Sequence, residues 1–224
     1  MPRLKNRKIF LYIFLLLFIG TINNKNLDNS LAMNISEIVV TGLEKKDSLD
    51  LVNNLKFLEV KNLFFLKPNE IKKIVEDNNL VEGYKVFKEY PSRLIIEIKK
   101  TDFLAQTRRD GHFFFLGSNG AFIKTSSKQK NIPFIFGDFK NSNFFELKRI
   151  IDDSTFKFNE IKNLFFFKSG RWDIETNSEI LIKLPKKNLK KSLELAMDLL
   201  EKDKKKMIKK IDLRQNNQII INGS

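Results

Sequence analysis

The chain has 224 residues, enough for one large domain or two small ones with buried cores. Lys and Arg number 41 against 27 Asp and Glu, a net charge of +14. The absence of cysteine and the single histidine, His112, exclude disulfide frameworks, thiolate metal sites and multi-histidine metal sites. No Gly-x-Gly-x-x-Gly or Walker-type phosphate loop occurs. A Ser-His-Asp mechanism would depend entirely on His112. We expect no cofactor, no metal and no small-molecule substrate.

The N-terminus has the pattern of a membrane-targeting segment. Residues 1–8 carry four positive charges and no negative charge, and residues 9–22 are almost entirely apolar. The positive-inside rule predicts a cytoplasmic tail at 1–8, with everything after residue 22 outside the cytoplasm. Fourteen helical residues span only ~21 Å of a ~30 Å hydrocarbon core, so 9–22 is either a short transmembrane helix or a signal peptide.

Cleavage of this segment has one candidate site. Ser30-Leu31-Ala32 offers small residues at the right relative spacing, but it lies well beyond the end of the apolar run. We therefore expect a retained transmembrane helix, followed by a polar, Asn-rich tether at 23–34. DNA binding is not expected of an exported chain in which no basic stretch is interleaved with aromatic residues.

The first exported segment, residues 35–103, has the pattern of a small α+β unit. Apolar spacing predicts the order β-α-α-β-β, with strands at 35–40, 80–90 and 94–99 and helices at 47–57 and 69–78. Asp47 or Ser48 is the expected N-cap of the first helix, and Pro68 is expected to start the second. Helices on one face of a small sheet would bury the apolar positions.

The remainder, residues 104–224, is predicted to be a β-rich domain with packed helices. Ser118-Asn119-Gly120 lies between two apolar runs and indicates a hairpin. Helices are expected at 143–153 and 188–205, and further strands at 132–136, 161–167, 170–175, 179–184, 208–213 and 218–221. The sequence KNLFF occurs at 61–65 and again at 162–166, and both copies are expected to form buried strands.

Several of these segments, in this order, resemble the FtsQ/DivIB family of bacterial cell-division proteins. Residues 38–42 followed by a helix, and the strand, Pro turn and strand of 86–98, are similar to the family's POTRA domain. The downstream matches are Phe103-Leu104-Ala105, 115–120, 132–137, 170–174, 180–185 and 211–214. The resemblance covers roughly residues 35–221.

The resemblance implies a non-enzymatic, single-pass inner-membrane protein of the division septum, with its C-terminal domains in the periplasm. Its partners would be FtsB and FtsL, together with other proteins of the divisome. In the family, the strand after Asp-Leu-Arg pairs with a segment of FtsB. The corresponding partner-binding residues here are Arg214, Gln215, Asn217, Gln218, Ile219, Ile220 and Ile221.

Physically, this mode of binding is β-augmentation, in which main-chain hydrogen bonds supply affinity. Three consecutive isoleucines near the C-terminus would form an unguarded sheet edge, unless the strand merely completes the sheet. Proline at Ile220 is expected to remove a ladder N–H and abolish FtsB binding while leaving the fold largely intact.

Other residues have simpler interpretations. Trp172 is expected in the core, His112 in a loop, and the lysines of 188–205 on a solvated helix face. Lys85, Lys88 and Arg93 are candidates to flank a POTRA sheet edge, and Arg214 could pair with a partner carboxylate or near Asp212. Two alternative functions stay open: a POTRA-containing envelope chaperone or assembly protein, and a secreted basic protein that binds wall polymer.

Overall fold

The computed structural model describes residues 3–22, 33–126, 128–203, 207–215 and 218–223. Its first element is the helix α1 (Arg3–Ile22), in which the apolar residues 9–18 are exposed. Within the described residues, no helix combines the length and the apolarity needed to cross a membrane. The predicted tether lies outside the described residues except for Met33 and Asn34. The chain divides into two compact units, residues 1–100 and 101–224.

A three-stranded sheet organises residues 33–100. Its strands are β1 (Glu37–Thr41), β2 (Val81–Glu89) and β3 (Arg93–Lys100), in the order β1-β3-β2. β1 runs parallel to β3, and β2 runs antiparallel to β3. The helices α2 (Lys45–Leu55) and α3 (Pro68–Glu76) connect β1 to β2, which confirms the predicted β-α-α-β-β order.

The core of this first unit lies between the helices and one face of the sheet. Leu51 and Leu55 of α2 are four residues apart and therefore lie on one helix face. They pack in one buried cluster with the β3 residues Leu94, Ile96 and Ile98, whose spacing of two places them on one face of the strand. The apolar faces of α2 and β3 thus pack against each other in this core.

Two expectations for the first unit were wrong. The N-cap of α2 is Glu44, and the hydroxyl of Ser48 donates to the Leu43 carbonyl instead of capping the helix. The first KNLFF copy is not a strand: it follows the 3₁₀ helix Lys56–Val60, and Phe64 and Phe65 are exposed. The Asn62 side chain accepts a hydrogen bond from the Phe64 N–H, a local turn that competes with strand formation.

The second unit is built on a nine-stranded sheet. Its order is β12-β11-β10-β9-β8-β7-β4-β5-β6. The strands are β4 (Phe103–Arg109), β5 (His112–Gly117), β6 (Phe122–Thr125), β7 (Phe134–Phe136), β8 (Ile161–Phe166), β9 (Trp172–Thr176), β10 (Leu181–Lys183), β11 (Ile208–Asp212) and β12 (Ile220–Gly223). The second KNLFF copy lies in β8, as expected.

Two helices cover one face of this sheet. α4 (Asn141–Asp152) contributes Phe144 and Leu147, and α5 (Leu189–Lys202) contributes Leu193 and Ala196, to a single buried cluster. The strand residues in that cluster are Ala105, Leu116, Ile135, Ile161, Leu164, Trp172, Ile174, Ile182 and Ile211. The mixed α+β architecture and the β-rich second unit are therefore as predicted.

One strand, β4, was not predicted. It pairs with β5 through a tight turn at Asp110-Gly111, where both residues have positive φ angles of 48° and 80°. An Asp-Gly pair between two strand-like runs favours this type of hairpin. The same hairpin places the exposed His112 at the first position of β5, not in a loop.

Candidate partner-binding edge

The last strand of the chain is also the last strand of the large sheet. β12 pairs antiparallel with β11, and no other strand among the described residues pairs with its outer side. Ile219, Ile220 and Ile221 are 42%, 48% and 43% exposed. This edge therefore combines unpaired backbone groups with a row of solvent-exposed β-branched side chains.

The hydrogen bonds of β11 show which backbone groups of β12 face outward. The Leu213 N–H donates to the Lys183 carbonyl at 2.9 Å, so the backbone of this residue points toward β10. Because N–H and C=O directions alternate along a strand, the backbone of Asp212 points the other way, toward its β12 partner Ile220. The backbone groups of Ile221 accordingly face the open edge, and those of Ile220 face β11.

The side chains of β12 divide between the two faces of the sheet. Ile221 lies opposite Ile211, a residue buried in the core beneath the helices. Ile220 lies opposite Asp212 and therefore belongs to the other, polar face. A strand added to this edge would meet an apolar side chain on each face.

A hollow lies beside β12, against the N-terminal half of α5. Gln215, Gln218 and Ile219 line its strand side, and its volume is about 330 Å³. The other residues that line it are Pro185, Lys187, Asn188, Lys191, Ser192, Leu195 and Leu213. The hollow thus has two lysines and partly apolar walls, a combination suited to a side chain that carries negative charge at its end.

Arg214 forms an ion pair with Asp212 of the same chain. Its Nε donates to Asp212 Oδ1 at 2.8 Å and its Nη2 to Oδ2 at 2.6 Å, a bidentate pair. The hydrogen bonds from Arg214 lower the pKa of Asp212 below its ordinary value, and Asp212 raises that of Arg214. Arg214 thus makes one of the two contacts that the sequence analysis named, the one with Asp212.

A second carboxylate, Asp173, lies in the same row of the sheet. The register runs from Asp173 through Lys183 to Asp212, so all three side chains share the polar face. Arg171 Nε donates to Asp173 Oδ1 at 3.3 Å. Burial raises the pKa of Asp173, although the positive charges of Arg171 and Lys183 oppose this effect.

The structure brings together part of the predicted partner-binding set. Gln215, Gln218 and Ile219 share the hollow, Ile220 and Ile221 form β12, and Asn217 lies outside the described residues. The sequence analysis missed Lys187 and Lys191. Lys191 and Leu195 are four residues apart in α5 and share a helix face, which was a usable signal, whereas Lys187 precedes the helix. It also missed the pair between Arg171 and Asp173, whereas pairing of Arg214 near Asp212 was one of the two options it named.

Other predicted residues have ordinary structural roles. Trp172 is buried in the core, as expected. Lys88 Nζ donates to the carbonyls of Phe64 and Leu66, and Arg93 pairs with Glu37 and Glu89, so both side chains make contacts within the first unit. Among the residues that the structure describes, no cluster of His, Asp and Glu could hold a metal ion.

Comparison with known protein families agrees with both units. Residues 33–100 match the family "POTRA domain, FtsQ-type", and residues 105–214 match "Cell division protein FtsQ/DivIB, C-terminal". The chain belongs to the FtsQ/DivIB family. The FtsQ/DivIB C-terminal match ends at Arg214, at the start of the segment that leads to β12.

Curated relatives support this membership. Cell division protein FtsQ of Rickettsia bellii is 24% identical over 195 residues, which covers 85% of this chain and 73% of the relative. FtsQ of Rickettsia felis is 22% identical over 231 residues, which covers 96% of this chain and 85% of the relative. The solved major extracytoplasmic domain of DivIB from Geobacillus stearothermophilus aligns with 11% identity and a TM-score of 0.35, covering 48% of this chain and 97% of that domain.

Proposed function

We propose that this FtsQ/DivIB-family chain is a non-enzymatic, single-pass inner-membrane scaffold of the bacterial divisome that docks FtsB and FtsL at the septum. Residues 1–8 would be the cytoplasmic tail, 9–22 the membrane anchor and 23–34 the tether. Residues 35–103 would form the POTRA domain and 104–224 the partner-binding domain. The basic and apolar order of residues 1–22 supports this orientation.

The observation that carries the proposal is the open edge of β12. An extended segment of FtsB would add to this edge as a tenth strand, with hydrogen bonds to the outward backbone groups of Ile221. Its side chains would contact Ile221 on one face and Ile220 on the other, and an acidic residue would reach Lys187 and Lys191. Such pairing would also cover an edge that is otherwise prone to aggregation.

The test is a matched pair of proline substitutions. Ile221→Pro removes an outward N–H and is expected to weaken binding at least about tenfold, since one main-chain hydrogen bond and local edge geometry are lost. Binding of the full chain in nanodiscs to the extracytoplasmic segment of FtsB would be measured by isothermal titration calorimetry. The sequence alone suggested Ile220→Pro, but this substitution removes a main-chain hydrogen bond to β11. It therefore serves as the control for damage to the sheet.

The two variants separate the possible results. Loss of FtsB binding in Ile221→Pro, with the thermal midpoint of unfolding kept near that of the wild type, supports docking at this edge. Wild-type affinity in Ile221→Pro would exclude β12 as the docking edge. A larger loss of stability in Ile220→Pro than in Ile221→Pro is expected, because only the former breaks a bond within the sheet.

A further inference from the structure

The first unit exposes a patch of large apolar side chains. Phe57, Val60, Phe64, Phe65 and Tyr90 are each more than 40% exposed, and Val60 reaches 80%. These five residues are called the aromatic patch below. Soluble domains rarely expose contiguous groups of this kind without a surface to cover them.

The residues of the aromatic patch are linked by contacts. The rings of Phe64 and Phe65 lie 5.1 Å apart, and those of Phe64 and Tyr90 lie 6.3 Å apart. Val60 and Phe65 line one shallow hollow of about 390 Å³. Phe57 adjoins these residues through Lys61, which lines the same hollow and whose Nζ lies 6.0 Å from the centre of the Phe57 ring. The patch is therefore one surface.

The loop that presents the patch is fixed in place. Lys88 Nζ donates to the carbonyls of Phe64 and Leu66 at 3.1 and 2.9 Å. The Asn62 side chain accepts the Phe64 N–H at 2.9 Å. These bonds hold the two adjacent phenylalanines outward while Leu63 stays fully buried.

The patch adjoins the point where the chain enters this unit from α1. The Leu63 N–H donates to the Met33 carbonyl at 2.8 Å, the Ile35 N–H donates to the Lys61 carbonyl at 3.0 Å, and Asn34 forms a bridge with Asn62. Ten residues, 23–32, separate Ile22 from Met33 in the sequence, and a fully extended chain of that length reaches at most roughly 40 Å. An anchored α1 would therefore keep this surface close to the bilayer.

The charges around the patch suit an anionic surface. Residues 56–67 contain Lys56, Lys61 and Lys67 against a single acidic residue, Glu59. Lys56 and Lys67 are exposed, whereas Lys61 pairs with Glu70. Aromatic side chains bordered by lysines are the composition that favours the headgroup region of a membrane containing anionic lipids.

We propose that the aromatic patch of the POTRA unit rests on the headgroup region of an anionic lipid bilayer and holds this unit against the membrane. The inference rests on the proposed anchoring of residues 9–22. It adds a second, peripheral membrane contact beside the attachment point, which would limit the orientations that the unit samples.

Fluorescence quenching in nanodiscs tests this contact on the full chain. Because the sequence has no cysteine, Phe65→Cys, Leu15→Cys and Lys46→Cys each introduce a single thiol for an environment-sensitive fluorophore. Position 15 reports on α1, and position 46 lies at the far end of α2 from the patch. The nanodiscs contain phosphatidylcholine with or without phosphatidylglycerol, and a fraction of lipid with a nitroxide on its acyl chain is the quencher.

We expect severalfold stronger quenching at position 65 than at position 46, and stronger quenching with phosphatidylglycerol than without it. Adding Val60→Ser and Phe64→Ser to the labelled chain should lower quenching at position 65 to the level at 46. Leu49 is an exposed apolar residue outside the patch, so Leu49→Ser should leave the quenching at position 65 unchanged.

The remaining outcomes overturn distinct claims. Quenching at position 15 with none above background at 65 would keep the anchor, exclude the bilayer contact and reassign the patch to a protein partner. Absence of quenching at both positions would overturn the anchor together with the patch contact. Equal quenching at position 65 in both lipid mixtures would overturn the requirement for anionic lipid.

Discussion

The carboxylates of Asp212 and Asp173 lie on one face of the sheet, yet their pKa values shift in opposite directions. Arg214 binds both oxygens of Asp212, and this favours the ionised form. Asp173, with its side chain only 4% exposed, receives one longer bond from Arg171, so loss of hydration dominates. The two residues have the same chemistry, and the number and quality of their arginine contacts decide the direction in which each pKa shifts.

Replacement of Asp212 is expected to remove a source of acid-sensitive stability. Its pKa is lowered in the folded chain, so its contribution is present above the unfolded pKa of about 3.9 and is lost as pH falls through the lowered value. Asp212→Asn should therefore lower the free energy of unfolding by about 1–2 kcal/mol at pH 7 and by almost nothing in strong acid. The value at pH 7 is modest because the Arg214 side chain is 38% exposed. Urea unfolding across a pH series measures both quantities.

Asp173→Asn is the matched control for this experiment. The pKa of Asp173 is raised in the folded chain, so its contribution is greatest below about pH 3.9 and declines as pH rises through the raised value. This substitution should cost less than Asp212→Asn at pH 7. A larger cost for Asp173→Asn at neutral pH would contradict the assigned directions.

At the scale of elements, the sequence predicted what periodicity and turn chemistry encode. The β-α-α-β-β order, the α3 start at Pro68 and the β8 copy of KNLFF followed from local pattern. The conformation of the first KNLFF copy did not follow from local pattern. It depends on hydrogen bonds from Asn62 and from Lys88, which is 24 residues away from Phe64 in the sequence. The hollow beside β12 was equally out of reach, since it requires α5 and the C-terminal segment to meet in space.

The helix α5 offers a test of the charge at this hollow. Lys190 and Lys191 are both exposed, but only Lys191 lines the hollow. Lys191→Glu is expected to weaken FtsB binding by about fivefold at low salt, because one ion pair at a partly exposed interface is worth roughly 1 kcal/mol. Lys190→Glu should have little effect, and added salt should reduce the difference between the two variants.

Equal weakening by Lys190→Glu and Lys191→Glu, measured by the same titration, would indicate only long-range attraction between a basic domain and an acidic partner. It would remove the argument that an acidic side chain of FtsB occupies the hollow. The proline pair at positions 220 and 221 would still test β12 itself.

For the whole molecule, the two units have separate cores and separate exposed surfaces. The first buries its own cluster and leaves the aromatic patch exposed near its attachment to α1. The second buries its cluster under α4 and α5 and leaves β12 open at the C-terminus. The most C-terminal buried residue is Leu213, so among the described residues the segment after Arg214 adds nothing to either core. Localisation and FtsB docking are therefore expected to be separable.

Imaging in the native host tests this separation. With a fluorescent protein fused before Met1, the full chain is expected to form a midcell band. A chain that ends at Arg214 should keep its cores and form the same band, while labelled FtsB is lost from midcell because its docking strand is missing. A uniform envelope ring of the full chain would exclude a septal role. Diffuse cytoplasmic fluorescence, with a blot showing loss of the tag from the mature chain, would show cleavage of residues 9–22 and overturn the anchored scaffold.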